Sequence, residues 1–442
     1  MQYILCCMKE GDVVLTKLRT AALSRQGQFI LLSCIPLYFI VVGLFLQPVA
    51  TVFPGIVKLM IEPDFLITDY FVVGGIGSAF MNAGLLALFC IWLTYFLDLD
   101  MEGHTVTSIC LVFGFGLFGK NLMNVWSILT GTVVYALYHN TTLTRYLYVG
   151  FYGTALAPII TQILHFEWIS LPLRMVLGGL IGIIIGFVLP PLATHVRHTH
   201  KGYSLYNVGF ACGIIATIIV SVLKSFGVHV ELRTIWYEGG NALLCTVLMG
   251  AFGGLMLFSL LLGGREVLHQ YWSILKSTGI NGTDYVRDES FFSAGFNMGV
   301  NGIFSTVFVL LVGGELNGPT IGGIMTIVGF GSTGKHIRNS LPIMLGVYCA
   351  SLLQTWNINE PGPLLALLFC TTLAPIAGEF GVIAGIVAGF IHSSVVMNVG
   401  SVYAGMNLYN NGFAGGIVAT FMVPVVQSVR ERRARARGHV SL

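Results

Sequence analysis

Two lysines each follow a glycine-rich turn in an otherwise apolar sequence. The first lysine turn spans residues 114–120 (Gly-Phe-Gly-Leu-Phe-Gly-Lys), and the second spans residues 329–335 (Gly-Phe-Gly-Ser-Thr-Gly-Lys). Glycine permits close backbone approach, and the helix ends beside such turns present a partial charge to a solute. An ammonium in apolar surroundings needs a partner, water or an anion. The pattern therefore predicts a solute pathway lined by Gly114, Gly116, Gly119, Lys120, Gly329, Gly331, Gly334 and Lys335. The alternative is that both lysines lie at the rim of a hairpin and reach to water.

Amides and threonines stand at matched places in apolar segments. Buried amides need hydrogen-bonding partners, which are either a neighbouring helix or a solute. Each threonine opens a Thr-x-x-Ala-Pro stretch, and proline removes a backbone donor, so we expect broken or kinked helices there. Broken helices at matched places point to a binding site. These candidate pathway residues are Asn82, Asn297, Asn207, Asn410, Thr154 and Thr371.

Two ionisable residues of the second half complete the candidate pathway. Glu379 lies deep in an apolar run, where it could accept a proton, bind a cation or pair with Lys335, or else lie in a loop near the interface. His392 is a candidate proton relay, with a packing histidine as the alternative. The histidines of the stretch from His195 to Lys201 lie in a basic segment that we expect to be a solvated loop. No metal site and no cofactor are predicted.

Catalytic motifs do not stand out. The lysine turns lack the preceding strand of a phosphate-binding loop, and no zinc-protease helix, nucleophile elbow or aspartate pair is present. The sequence therefore predicts a protein that is not an enzyme. Two alternatives stay open: an embedded enzyme on a lipid-like substrate, using Glu379, His392 and Lys335, and a scaffold or sensor subunit with a basic tail.

The composition indicates that the whole chain lies in a lipid bilayer. Of 442 residues, 55% are hydrophobic and 9% are charged, whereas soluble domains carry about 25% charged residues. Apolar stretches of about 20 residues recur from Phe29 to near Val425, each long enough to cross a bilayer as a helix. The predicted fold class is an all-α polytopic membrane protein. Nucleic acid is not an expected partner, because the basic tail from Arg430 to Arg437 is typical of a cytoplasmic anchor.

An internal repeat divides the chain into two homologous halves. Thr68-Asp69-Tyr70 recurs as Thr283-Asp284-Tyr285, and the two lysine turns match at the same offset. Residues 206–217 and 409–420 agree at nine of twelve positions. The matches fall on Gly, Asn, Pro, Lys, Thr and Tyr rather than on the Leu and Ile that chance would favour. The sequence therefore predicts two copies of one helical unit.

Helices and charges suggest how each unit crosses the membrane. In the first unit we predict apolar helical segments at about 29–52, 71–97, 105–119, 122–138, 147–164, 173–192 and 205–223. If the two short segments form a re-entrant hairpin, each unit has five crossings, and both termini and the His195 to Lys201 segment lie in the cytoplasm. If only the second short segment crosses, each unit has six. We predict the first arrangement. Because each unit then crosses the membrane five times, an odd number, the two repeats are inserted in opposite directions.

The predicted organisation has five parts in a cell (inner) membrane. They are a cytoplasmic segment (1–27), the first membrane repeat (28–226), a connecting loop (227–240), the second membrane repeat (241–428) and a basic cytoplasmic tail (429–442). The expected partners are lipid and a small molecule or ion. Homo-oligomerisation stays open, because surface facing lipid and surface facing another subunit are equally apolar.

The sequence resembles a family of bacterial inner-membrane proteins catalogued as a domain of unknown function. The resemblance is carried by the doubled lysine turn and by the stretch that closes each half, Leu-Tyr-Asn-x-Gly-Phe-Ala-x-Gly-Ile. The resemblance covers residues from about Phe29 to Val425 and implies no substrate. More loosely, the two inverted units of five helices are similar to the architecture of urea transporters. The Leu-Pro-x-x-Thr-x-Pro-Phe motif of those transporters is absent, so the resemblance implies an architecture and no binding residue.

Overall fold

The computed structural model describes residues 19–20, 22–64, 67–228, 230 and 233–436. Most of the predicted N-terminal segment and the end of the basic tail, with Arg437, lie outside the described residues. From Arg25 onward the described chain is helical, and it contains no strand beyond isolated bridges. The all-α prediction is confirmed.

Ten α-helices lie in the described part of the first half between Arg25 and Ser225. They are α1 (Arg25–Leu46), α2 (Val49–Ile61), α3 (Tyr70–Val73), α4 (Ile76–Phe96), α5 (Gly103–Phe115), α6 (Trp126–Tyr138), α7 (Leu147–Gly153), α8 (Ala157–Leu164), α9 (Leu171–Thr199) and α10 (Asn207–Ser225).

Ten more follow in the second half, in the same order. They are α11 (Asn241–Gly263), α12 (Glu266–Ile274), α13 (Tyr285–Asp288), α14 (Phe291–Leu311), α15 (Gly318–Phe330), α16 (Ile337–Ser351), α17 (Pro361–Phe369), α18 (Ala374–Phe380), α19 (Val382–Val399) and α20 (Asn410–Ala436).

Ten segments of the described chain are long and apolar enough to cross a membrane, and five lie in each half. They are α1, α4, α7 with α8, α9 and α10, and then α11, α14, α17 with α18, α19 and α20. The protein is therefore a polytopic membrane protein. The helices break where the Thr-x-x-Ala-Pro stretches predict, because short 3₁₀ segments at Thr154–Leu156 and Cys370–Leu373 interrupt them.

Two predicted elements are wrong. The segment 29–52 is not one helix, since α1 ends at Leu46 and α2 starts at Val49, after Pro48. Proline cannot donate to the preceding turn and disfavours helical backbone in the residue before it. The expected loop from His195 is mostly helix, because α9 continues to Thr199. There Val196 is buried against the protein while His195 is exposed, so the stretch is amphipathic rather than a loop.

The short helices α5 and α15 pack against each other at the centre and run antiparallel. Gly103 at the start of α5 lies against Ser332, just after α15, and Gly318 at the start of α15 lies against Leu117, just after α5. Each helix has 13 residues, and all of them except His104 of α5 are buried. Their sequence partners pack elsewhere, α6 on α9 and α16 on α19. The two short segments of each half are thus joined by the turn without forming a packed helix pair.

Glycine pairs bring those outer helices into backbone contact. A Cβ on Gly186 of α9 would lie 2.0 Å from the carbonyl oxygen of Ile128, and one on Gly389 of α19 would lie 2.0 Å from that of Ile343. Helices in membranes associate largely through such close packing of small residues. The same close contact thus occurs at matched positions of the two halves.

Alanine at Gly186 should destabilise the protein by about 1–3 kcal/mol, because the added methyl meets backbone rather than a movable side chain. Gly179 lies in the same helix with no atom within 4 Å of a Cβ built on it, so Gly179→Ala is the matched control. The midpoint of thermal unfolding in detergent measures both. Equal midpoints for Gly186→Ala and Gly179→Ala would contradict the packing described here.

Candidate functional site

Two buried asparagines fasten the lysine turns to the long helices beside them. Asn82 of α4 donates from Nδ2 to the carbonyl oxygens of Gly116 at 2.7 Å and Lys120 at 2.9 Å. Asn297 of α14 makes the equivalent bonds in the second lysine turn, at 2.7 and 2.8 Å. Both amide nitrogens are thus committed to backbone. These asparagines position the turns, which is the helix-to-helix alternative considered for them above.

Both lysines of the turns lie inside the protein. The exposed fraction of Lys120 and of Lys335 is 0%, so the alternative in which they reach to water from a hairpin rim is wrong. Lys335 Nζ donates to the hydroxyls of Tyr206 and, at 2.8 Å, of Thr371. It also lies 4.9 Å from the ring centroid of Phe330, a distance typical of a cation–π contact. Hydroxyl oxygens and aromatic rings therefore surround the Lys335 ammonium, and Thr371, one of the candidate pathway residues, is among its partners.

Lys120 has fewer partners than Lys335. Its Nζ donates to the carbonyl of Phe151 at 3.4 Å and lies 5.2 Å from the ring centroid of Phe115 and 5.8 Å from that of Tyr409. The hydroxyl of Thr154, the counterpart of Thr371, donates to Phe151 at 2.7 Å instead of contacting the lysine. The two halves therefore have the same fold but differ at the lysine.

Glu379 and His392 do not meet the lysines. Glu379 is partly exposed and pairs with Arg430 at 2.8 Å, so pairing with Lys335, one of the possibilities considered for Glu379, does not occur. The reason is that α20 runs far enough to place Arg430 beside the end of α18. His392 is fully buried, and its ring nitrogen lies 2.9 Å from Asn411 Oδ1, as expected of a packing histidine. Within the described chain no carboxylate lies within 4.0 Å of either lysine nitrogen.

A cavity of about 310 Å³ lies between the two halves. Its walls include Arg145 and Arg197, both exposed, and Tyr206 and Tyr409, both buried. Tyr206 is the residue that also binds Lys335. The described lining contains no acidic side chain. The cavity wall thus includes two exposed arginines and a tyrosine that contacts Lys335, whereas neither lysine of the turns lines the cavity.

The predicted asparagines at the starts of α10 and α20 hold the segments before those helices. Asn207 lines the cavity and donates to the carbonyl of Ala193 at 2.9 Å. His200, expected in a solvated loop, is fully buried, with a ring nitrogen 3.0 Å from Asn207 Oδ1. Asn410 accepts a hydrogen bond from Tyr403. The structure brings Lys335 and Thr371 into contact and places Asn207 in the cavity wall, whereas Asn410, Glu379 and His392 have separate partners.

Sequence reasoning missed the aspartates of the Thr-Asp-Tyr motif as structural links between the halves. Asp284 caps its own helix α13 and accepts hydrogen bonds from the amide of Gly103, the first residue of α5, at 3.1 and 3.0 Å. Asp69 caps α3, and the amide of Gly318, the first residue of α15, bonds to it. Each half therefore caps the buried central helix of the other. The repeat of the motif was the available signal.

Arg145, Arg197 and Tyr206 were also missed. The two arginines lie near helix ends, where sequence reasoning takes basic residues for interface charges. Tyr206 opens the block that repeats from Tyr409, so its place in the repeat could have marked it. In the described residues no group of three or more His, Cys, Asp or Glu side chains is arranged to hold a metal ion.

Comparison with known families gives one match. A family described as a protein of unknown function, DUF1576, matches residues 48–225 and 264–428. The two matched regions fall one in each half, and both leave out the first long helix of that half, α1 and α11. No curated protein and no solved structure matches the chain.

Proposed function

Because the chain belongs to the DUF1576 family, whose function is unknown, we propose a function from the site alone: a channel or secondary transporter that moves a small polar solute, preferably an anion, between the two halves. The observation that carries the proposal is the buried Lys335, whose polar partners are hydroxyls, next to a cavity lined by both halves.

The chemistry of the site favours an anion. The ammonium of Lys335 and the hydroxyl of Tyr206 offer hydrogen-bond donors, whereas the hydroxyl of Thr371 donates to the carbonyl of Leu368 at 2.8 Å. The described surroundings supply no carboxylate to balance the charge. A buried charge without a partner is costly, and an ionisable residue at membrane depth is by default a functional candidate. The exposed Arg145 and Arg197 of the cavity wall would raise the local concentration of anions at the cavity. A carboxylate or a small inorganic anion satisfies these donors.

The arrangement of the halves also supports transport. Equivalent helices α5 and α15 run antiparallel, as they would in repeats inserted in opposite directions. We propose that each half crosses the membrane an odd number of times, with its two short segments entering and leaving on one side and both termini in the cytoplasm. The cavity beside Lys335 would then face one side, while the aromatic surroundings of Lys120 close the equivalent path.

An enzymatic alternative finds less support. It needs Glu379, His392 and Lys335 to act together, but each has a different partner. The scaffold alternative rests on the basic tail, and deletion of residues 430–442 should leave solute flux unchanged if transport is the function.

Flux in proteoliposomes tests the proposal. Wild type should accelerate the movement of at least one solute among formate, acetate, chloride, urea, ammonium and small amides. Lys335→Met should reduce that flux about tenfold or more, because a charged hydrogen-bonding group is worth ~1.5–3 kcal/mol. Tyr206→Phe removes one donor and should have a smaller effect in the same direction.

The matched control is Lys276→Met, which removes an exposed lysine outside the cavity. Its flux should equal that of wild type. Wild-type vesicles that move none of these solutes faster than empty vesicles would contradict the proposal and favour the scaffold or enzyme alternatives.

A further inference from the structure

A carboxylate lies buried in the loop between α2 and α3. The exposed fraction of Asp64 is 0%. Its Oδ1 accepts a hydrogen bond from the hydroxyl of Tyr70 at 2.8 Å, and its Oδ2 accepts from Asn124 at 3.0 Å and from the hydroxyl of Thr161 at 3.1 Å. Asn121 donates to the same oxygen at 3.3 Å. All four partners are neutral.

No positive charge balances this carboxylate in the part of the chain that the structure describes, where no cationic nitrogen lies within 4.0 Å of it. The charged and titratable groups of the surrounding elements bond to other partners. His165 of the α8 end contacts the carbonyls of Thr161 and Ile61, and Lys120 of the first lysine turn donates to Phe151.

Two further charged groups near this loop have partners of their own, and Lys58 in the last turn of α2 is exposed to the surroundings of the protein. Glu62 pairs with Arg233, and Arg174 donates to the carbonyl of Leu164. A buried carboxylate without a cation tends to take up a proton rather than stay charged. Burial raises the pKa of Asp64 to about 8.

The partners of Asp64 can serve either protonation state. A hydroxyl both donates and accepts, so Thr161 can turn its O–H to the carbonyl of Ala157, 3.5 Å away, and accept the proton of a neutral Asp64. Asp69 differs, because its donors include the backbone amides of Phe71 and Tyr237, which cannot reverse. Asp64 alone of the two has a surrounding that exchanges a proton without leaving a buried donor unpaired.

The same contacts reach the first lysine turn. Asn124 Nδ2 lies 3.0 Å from Asp64 Oδ2 and also donates to the carbonyl of Gly119 at 3.0 Å. In the second half Gly279 occupies the place equivalent to Asp64, while Asn339 keeps the equivalent bond to the turn, at 2.9 Å. The acid is therefore an addition to one half and not a requirement of the fold.

We propose that Asp64 is a proton-binding site whose protonation is linked to the first lysine turn through Asn124. A neutral Asp64 accepts more weakly from Asn124, which shifts that amide toward the carbonyl of Gly119. Proton binding does not depend on the proposed transport. If the protein does transport an anion, this site supplies the coupled proton, and that consequence rests on the proposed function.

Infrared spectroscopy of the full chain in lipid tests the proposal directly. A protonated carboxyl group gives a C=O stretching band at a higher wavenumber than the amide I band, and this carboxyl band disappears when the group ionises. Wild type should show this band at pH 6 and lose it as pH rises through the Asp64 pKa of about 8. In the Asp69→Asn background, which removes the other buried carboxyl with a raised pKa in this region, Asp64→Asn should lack the band. Asp64→Glu keeps an acid and should show the band at a shifted wavenumber, which serves as the test if the asparagine variant does not fold.

Two controls locate the proton. Asp98→Asn removes an exposed carboxylate and should leave the titration unchanged. Asp69→Asn should also keep the Asp64 band, although burial raises the pKa of Asp69 to about 7. Absence of a titrating band in wild type, or its persistence in both Asp64 variants at the wild-type wavenumber, would overturn the proposal whether or not any solute is transported.

Discussion

Replacing Asp284 with alanine should lower the free energy of unfolding by about 3–6 kcal/mol, the largest effect we expect of a single substitution. Each backbone amide that loses its hydrogen bond to the charged carboxylate costs ~1–2 kcal/mol or more. Its carboxylate accepts from Val286 at 3.0 Å and Arg287 at 3.1 Å in its own half, and from Gly103 in the other. Neither half can relax alone, since the bond to Gly103 joins them. The midpoint of thermal unfolding in detergent measures the loss.

The graded variant and the control make this prediction specific. Asp284→Asn keeps one acceptor oxygen but turns an amide nitrogen toward a donor, so its loss should be intermediate. Asp69→Ala, the counterpart in the first half, should act in the same direction. Asp98→Ala breaks a surface ion pair with Arg25, which is worth ~0–1 kcal/mol. An Asp284→Ala midpoint equal to that of Asp98→Ala would disprove the cross-capping role.

Replacing Asn82 with alanine should also destabilise the protein strongly, by about 3–5 kcal/mol, because it leaves three buried backbone groups without partners. They are the carbonyls of Gly116 and Lys120 and the amide of Leu122, whose bond to Asn82 Oδ1 is 3.1 Å. Asn297→Ala removes two such bonds in the second lysine turn, so its loss should be smaller.

An exposed asparagine supplies the control for this pair. Asn398 donates to the carbonyl of Ser394 one turn earlier in its own helix and is exposed, so Asn398→Ala should shift the unfolding midpoint little. Hydrogen exchange of the amides in the first lysine turn gives a local measure. Exchange there should accelerate in Asn82→Ala more than in Asn398→Ala, and unchanged protection would contradict the fastening role.

The sequence by itself determined the class of the protein and its internal symmetry. Low charge and recurrent apolar stretches require a bilayer, whatever the packing, because so few charges cannot cover a soluble surface. The duplication was readable because matched Gly, Asn and Lys residues are rare by chance. The breaks at Thr154 and Thr371 were also predictable, since proline removes a donor wherever it stands in a helix.

Tertiary structure alone decided what the polar residues contact. Periodicity could not tell whether Lys335 reaches water or Tyr206, because both outcomes follow the same local sequence. Glu379 found Arg430 through the length of α20, a contact across 51 residues. Asp284 joined Gly103 across 181 residues. Such contacts depend on how distant helices pack against one another, and the local sequence around a residue does not specify that packing. For this reason the predicted pathway residues were only partly brought together.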